Sequence, residues 1–159
     1  MKTNELYLKT AFCCMACDGD IADEEIALVK TWTTENSVLF GGLDVEASLN
    51  SYVSEINEKG MRFLSEYIYE VENAELSENE QLQLLTVAIK MIEADNKIEY
   101  SEIVFFKKIR FKLNVSDEAI LQKNPGKEDW LLPDIIEEDE FDWDVKFENI
   151  NFESFTPKD

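Results

Sequence analysis

The sequence predicts an all-α protein of about seven helices, followed by an acidic and mostly irregular C-terminal extension. Three observations support this prediction. Apolar residues recur at helical spacing through successive segments of residues 3–123. The chain has only 5 Gly and 3 Pro, so few residues interrupt a helix. A short acidic turn between two apolar helical segments occurs twice, which indicates two related helix–turn–helix units.

The composition argues against several classes of function. The chain holds 35 Asp or Glu against 15 Lys or Arg, a formal net charge of −20, so the basic surface that binds nucleic-acid phosphates is missing. There is no His, which removes the usual general base, a common metal ligand and any Ser-His-Asp arrangement. We therefore expect a protein that is not an enzyme and does not bind nucleic acid directly.

Length and hydropathy set the expected organisation. The 159 residues fit one helical domain, residues 1–126, and a tail, residues 127–159. No apolar stretch is long enough to span a bilayer, and residues 1–5 lack the features of a signal peptide. We therefore expect a cytoplasmic protein without membrane insertion.

The first predicted helix, residues 3–17, is apolar almost all round towards its end, as expected of a central buried helix. Cys14 and Cys17 have C-x-x-C spacing, but they lie at the C-terminal end of this helix, where the dipole does not lower a thiol pKa. A zinc site would need a fourth ligand besides these two and Cys13, and no second Cys pair exists. We expect all three to be buried packing residues.

The later helices are predicted from apolar stripes and from signals at their ends. Gly60 separates two of them, and Ser77 and Glu80 form a capping box at the start of another. Residues 38–43 are predicted to be an apolar connection between helices. The predicted helices after the first cover residues 23–36, 44–58, 61–73, 78–94, 100–113 and 117–123.

The exposed side of the predicted helix 100–113 is expected to carry four cations, Lys107, Lys108, Arg110 and Lys112. Cations near the C-terminus of a helix are favoured by the macrodipole, which accounts for them without any partner. A docking patch for an acidic segment is the alternative.

The two acidic turns, residues 17–25 and 94–102, match each other position by position at a constant spacing in the sequence. Asp18 then matches Asp95, and Glu25 matches Glu102. If the two units pack about a pseudo-twofold axis, these four carboxylates come close together.

Two interpretations of the turns stay open. Clustered carboxylates repel one another unless a cation neutralises them, and oxygen ligands favour Ca²⁺, Mg²⁺ or Mn²⁺ over Zn²⁺. A basic partner surface would be attracted by the same charge. Alternatively, the turns are structural, since Asp-Gly and Asp-Asn favour turns and acids stabilise the first turn of a helix. The candidate metal ligands are Asp18, Glu25, Asp95 and Glu102.

The C-terminal tail combines acidic and aromatic residues. Residues 134–159 hold ten Asp or Glu and two Lys, a net charge of −8. This composition is typical of segments that fold on binding, and residues 143–152 also alternate as a strand would, with a break at Asn149. Either the tail folds back over its own domain, with Trp130 attaching its start, or it binds a partner protein. The candidate partner-binding residues are Phe141, Trp143, Phe147 and Phe152.

Residues 16–25 resemble the A-x-D-G-x-I-x-x-x-E signature of the TerB-like family, named for a tellurite-resistance protein. Residues 94–102 resemble a second copy in which Asn96 replaces the Gly, while Ala22 and Glu99 replace the usual small hydroxyl residue. The resemblance covers roughly residues 4–123. It implies a fold of about seven helices built on a pseudo-repeat, with an acidic surface thought to bind divalent metal. The signature acids are Asp18, Glu25, Asp95 and Glu102.

The resemblance also implies a binding function. TerB-like domains occur in tellurite-resistance and stress-response operons, fused to J-domains of membrane co-chaperones, and in phage-defence systems, usually as non-catalytic assembly modules. We therefore expect a non-catalytic accessory or adaptor protein of such an assembly, with protein partners that include operon-encoded subunits.

Two alternative functions stay open. One is an acidic DNA mimic that inhibits a nucleic-acid-binding protein, which the net charge of −20 favours. The other is a carboxylate–metal hydrolase, which would need an open coordination position and a pocket.

Overall fold

The structure is a computed structural model that describes residues 3–17, 21, 23–35, 37–40, 43–94, 98 and 100–131. Within these residues the secondary structure is entirely helical, which confirms the predicted all-α class. Seven of the helices are seven residues or longer, in agreement with the predicted number. The helices are α1 (Thr3–Ala16), α2 (Asp23–Glu35), α3 (Ser37–Phe40), α4 (Val45–Lys59), α5 (Met61–Asn73), α6 (Glu78–Glu93), α7 (Tyr100–Phe111), α8 (Asp117–Lys123) and a 3-10 helix (Glu128–Leu131). None of those in the described chain combines the length and apolar composition needed to cross a membrane.

α1 is the central helix of the fold. Every residue from Leu6 to Ala16 is buried, as its all-round apolar surface predicts. α1 packs most extensively against α6 and also contacts α3, α4, α5 and α7. The Phe12 ring lies 5.5 Å from the ring of Tyr52 in α4 and 5.7 Å from that of Phe63 in α5, measured between centroids. Helices therefore surround α1, and its apolar residues form the middle of the core.

The two predicted helix–turn–helix units pack in a pseudo-symmetric way. When the sequence spacing between the two acidic turns is applied to the helices, α1 aligns with residues 80–93 of α6, and α2 aligns with α7. α2 contacts α6 just as α7 contacts α1. Equivalent apolar residues share core positions, since Leu8 and Leu85 are fully buried and so are Ala11 and Ala88. This reciprocal pair of contacts is consistent with the pseudo-twofold packing that the sequence predicts.

The symmetry breaks where α4 and α5 are inserted between the two units. Cys13 of α1 is fully buried, whereas its counterpart Lys90 in α6 is exposed. The difference arises because α4 and α5 pack on each other and on α1. Gly60, with φ at 62°, makes the turn between these two helices, a conformation that favours glycine. The inserted hairpin therefore buries a side of α1 whose equivalent on α6 remains partly exposed.

α3 is a local difference from the sequence prediction, which expected a connection at residues 38–43. Both Leu39 and Phe40 are buried, and the Phe40 ring lies 6.3 Å from the ring of Trp32 in an edge arrangement. Tertiary packing of two apolar side chains stabilises this single helical turn, which is too short to be stable through its own hydrogen bonds.

The last described residues attach to α6 and α7. Trp130 is buried, and its ring lies 5.3 Å from the ring of Phe106 in α7. Lys127 forms an ion pair with Glu93 in α6 and lies 5.2 Å above the Trp130 ring. The described chain ends one residue later, at Leu131, so the start of the predicted tail is part of the helical packing.

α6 should depend on its capping box for part of its stability. The Glu80 amide donates to Ser77 Oγ at 3.2 Å, and the Ser77 amide donates to Glu80 Oε1 at 2.9 Å. We expect Ser77→Ala to lower the free energy of unfolding by about 1 kcal/mol, because it leaves an amide of the first turn without its acceptor. Urea denaturation measures this change. Ser54→Ala, at an exposed position inside α4, is the control, and an equal loss in both variants would contradict the prediction.

Candidate functional site

The structure describes two of the four predicted metal ligands, Glu25 and Glu102. Each is the third residue of its helix, Glu25 in α2 and Glu102 in α7. Each is 4% exposed. The pseudo-repeat therefore places two carboxylates at equivalent positions, both inside the protein.

Burial distinguishes these two glutamates from the other acids at helix starts. Glu24, beside Glu25 in the same turn, is exposed, and so is Glu78 in the first turn of α6. Glu80 is half-buried, and hydrogen bonds from the Ser77 amide and hydroxyl lower its pKa. The helix dipole stabilises an acid at any of these positions, whereas removing a charge from water is costly. The dipole alone therefore does not account for the burial of Glu25 and Glu102.

Both buried glutamates lie near the same thiol in the core. The pKa of Cys14 in α1 is raised well above its ordinary value, first by burial, then by Cys13, and then by the charges of Glu102 and Glu25. Cys14 thus experiences the fields of two carboxylates that are far apart in the sequence. Both carboxylates are therefore close enough to act on one thiol, which is consistent with the expected pairing of the two units.

The remaining predicted site residues lie outside the described residues. Asp18 and Asp95 belong to the acidic turns themselves, between α1 and α2 and between α6 and α7. Within the described ranges, no group of three or more His, Cys, Asp or Glu is arranged to hold a metal ion. The four-carboxylate metal site therefore stays a prediction. The candidate partner-binding residues Phe141, Trp143, Phe147 and Phe152 also lie outside the described ranges.

All three cysteines are fully buried and none is in a disulfide, which confirms their predicted packing role. Burial raises the pKa of both Cys13 and Cys14 well above the ordinary value. Cys17 Sγ donates to the Cys14 carbonyl oxygen at 3.5 Å. Because the thiolate is the reactive form of cysteine, thiols held in the neutral state are poor nucleophiles.

Sequence reasoning missed a polar cluster next to these thiols. Lys9 Nζ lies 2.5 Å from Glu70 Oε1 and 4.9 Å above the ring of Phe63. Thr10 Oγ1 and the Tyr67 hydroxyl share a hydrogen bond of 2.5 Å. The available signal was a lysine on a helix that is otherwise apolar on all sides, because a buried cation needs an anionic partner. The cluster links α1 to α5, and its charged groups pair with each other.

Stability should fall at alkaline pH because of the buried thiols. The folded state keeps the protons of Cys13 and Cys14 above about pH 8.5, where the unfolded chain begins to release them. Their stabilising contribution is therefore complete below that pH and is lost as pH rises towards the folded pKa values. Each thiol adds up to about 1.4 kcal/mol of loss per pH unit.

Urea unfolding between about pH 8 and 10 measures this decline. A Cys13→Ala/Cys14→Ala variant is the comparison, since it should decline less steeply whatever its stability at neutral pH. The same slope in both proteins would show that these thiols do not cause the loss.

Comparison of the chain with protein-family models, with curated proteins and with solved structures finds no match. The relation to the TerB-like family therefore stays a prediction from the two acidic turns.

Proposed function

We propose that this protein is a non-catalytic binding module, a TerB-like accessory subunit of a bacterial stress-response or phage-defence assembly. In this proposal its paired acidic turns bind a divalent cation, Ca²⁺, Mg²⁺ or Mn²⁺. The observation that carries the proposal is the burial of Glu25 and Glu102 at equivalent positions near Cys14.

The electrostatics of the two buried carboxylates favour a cation. Carboxylates in a low-dielectric interior attract a cation, which lowers the cost of keeping both of them charged. Carboxylate oxygens are hard ligands, which suits Ca²⁺, Mg²⁺ or Mn²⁺. Glu25 and Glu102 would hold the ion from the helix starts, and Asp18 and Asp95 of the adjoining turns would supply further oxygens. In an adaptor the ion would serve to fix the two units in their paired arrangement.

The chemistry of the other buried groups supports a binding role over catalysis. The sequence has no His. The thiols of Cys13 and Cys14 are held neutral by burial, and Lys9 is paired with Glu70. Thiols and lysines are among the side chains that nucleophilic or acid–base catalysis would use in such a chain, and these are committed to the core. The carboxylates are assigned in this proposal to cation binding.

Calorimetric titration of Ca²⁺, Mg²⁺ and Mn²⁺ tests the metal site. We expect the parent protein to bind at least one ion and Glu25→Gln/Glu102→Gln to lose that binding, because each Gln keeps the shape of Glu but not its charge. Glu24→Gln/Glu78→Gln is the matched control, since it removes the same charge from exposed first-turn positions. The same ion should raise the melting temperature of the parent and of the control only.

Three outcomes distinguish the interpretations. Loss of ion binding in Glu25→Gln/Glu102→Gln but not in the control supports the metal site. Loss in an Asp18→Asn/Asp95→Asn variant would extend the metal site to the acidic turns. No heat and no change in melting temperature with any ion would make the acidic turns structural. Equally weakened ion binding in Glu25→Gln/Glu102→Gln and in Glu24→Gln/Glu78→Gln would mean that binding depends only on the net charge of the protein.

Co-expression with the proteins encoded in the same operon tests the adaptor role. We expect a partner to co-purify with the parent and not with a tail variant in which Phe141, Trp143, Phe147 and Phe152 are all replaced by Ala. The Glu24→Gln/Glu78→Gln variant should retain the partner. Retention by the tail variant would move the contact to the helical domain.

A further inference from the structure

α7 has an unusual charge for this protein. Its twelve residues include Lys107, Lys108 and Arg110 against the single acid Glu102, and Lys112 follows directly. Every other α-helix of the described chain has at least as many acidic as basic residues. In a chain with a net charge of −20, positive charge is thus concentrated on one element.

The outer face of α7 also presents large apolar side chains. Tyr100 is 63% exposed and Phe111 is 58% exposed. They are 11 residues apart, about three helical turns, so both lie on one stripe together with Val104 and Lys107. Val104, on the same stripe, is buried with 5% of its surface exposed. The stripe therefore joins one cation, Lys107, to two exposed apolar side chains.

The described chain ends on this helix, because Trp130 packs on Phe106 of α7. Twenty-eight residues follow Leu131. They can extend to about 90 Å, whereas α7 is about 18 Å long. The first dozen residues of the tail therefore suffice to reach either end of α7.

The tail is complementary to α7 in charge and also carries apolar side chains. Residues 134–144 contain seven acidic residues and no basic one, together with Ile135, Ile136, Phe141 and Trp143. The rest of the protein offers this segment little attraction, since residues 1–99 hold 20 acidic residues against 7 basic ones.

We propose that α7 is the docking surface for residues 134–147 of the same chain. Lys108 is buried, so the partly exposed Lys107, Arg110 and Lys112 would bind the carboxylates. Arg110 and Lys112 also form ion pairs with Asp117 and Glu72 at the edges of this surface. Tyr100 and Phe111 would contact the apolar side chains.

If the tail docks on α7, then α7 and a partner protein compete for the same tail residues. Phe141 and Trp143 are candidate residues for binding another protein, and on α7 they are occupied within the chain. A partner must then displace the tail from α7 or bind the side of the tail that faces away from it. The docking itself rests neither on the metal site nor on the identity of the partner.

Paramagnetic relaxation in the full-length protein tests the docking. A nitroxide is attached at Asn149→Cys, where the introduced thiol reacts selectively because Cys13, Cys14 and Cys17 are fully buried. We expect broadening of amide signals from α7 but not from α4. The broadening should fade as salt rises, since the screening length drops from about 10 Å at 0.1 M to about 3 Å at 1 M.

Charge variants identify the contact. Lys107→Glu/Lys112→Glu should abolish the broadening of α7, and Lys30→Glu/Lys90→Glu, with the same change in net charge at exposed positions, should preserve it. Adding Asp139→Lys/Asp142→Lys to the α7 variant should restore it by exchanging the charges. Asp139→Lys/Asp142→Lys alone, which leaves the sequence of the helical domain unchanged, should also abolish the broadening of α7 signals. Circular dichroism shows whether each variant folds.

Three results would overturn the proposal. The first is broadening that is absent from α7 or spread evenly over the helices. The second is an equal loss in Lys107→Glu/Lys112→Glu and in its control, which would indicate a response to net charge alone. The third is broadening in a mixture of spin-labelled and isotope-labelled copies as strong as that within one chain, which would assign the surface to the tail of a second copy.

Discussion

The packing of α1 against α6 is the contact on which the rest of the structure depends. It is the most extensive of the contacts that bury α1 from Leu6 to Ala16. The second helix of each unit packs on this pair, since α2 contacts α6 and α7 contacts α1. Glu25 and Glu102 are buried at the starts of these two helices, and the chemistry proposed for the acidic turns depends on that burial.

The inserted hairpin of α4 and α5 turns a near-symmetric pair into an asymmetric domain. It surrounds α1 with aromatic rings and supplies Glu70 as the partner of Lys9. A partly buried ion pair adds little net stability, since partial desolvation of the charges offsets their attraction. Its geometry is nevertheless specific, because the ammonium of Lys9 is satisfied only where the Glu70 carboxylate lies. This ion pair therefore fixes the position of α5 relative to α1. Apolar contacts alone would define that position less precisely.

Much of this fold could be predicted from local patterns. The all-round apolar character of residues 3–17 identified the central helix, the constant spacing between the two acidic turns identified the paired units, and Ser77 with Glu80 marked the start of α6. The features that escaped prediction depend on contacts between distant segments. α3 is stabilised by burial of Leu39 and Phe40, and Lys9 meets Glu70 across 61 positions. For the candidate site, sequence spacing paired Glu25 with Glu102, but only the folded arrangement shows that both are buried.

The distance in sequence between α1 and α6 has a consequence for synthesis of the protein. Residues 3–16 leave the ribosome long before residues 78–93, so the most apolar helix exists for a time without its main partner. During that interval Cys13, Cys14 and Cys17 are open to oxidants, and the apolar surface of α1 is open to other chains. In the cell, the nascent chain is therefore the vulnerable form of this protein. The side of α1 that carries Cys13 is covered when α4 and α5 emerge, and the remaining surface is covered only when α6 follows.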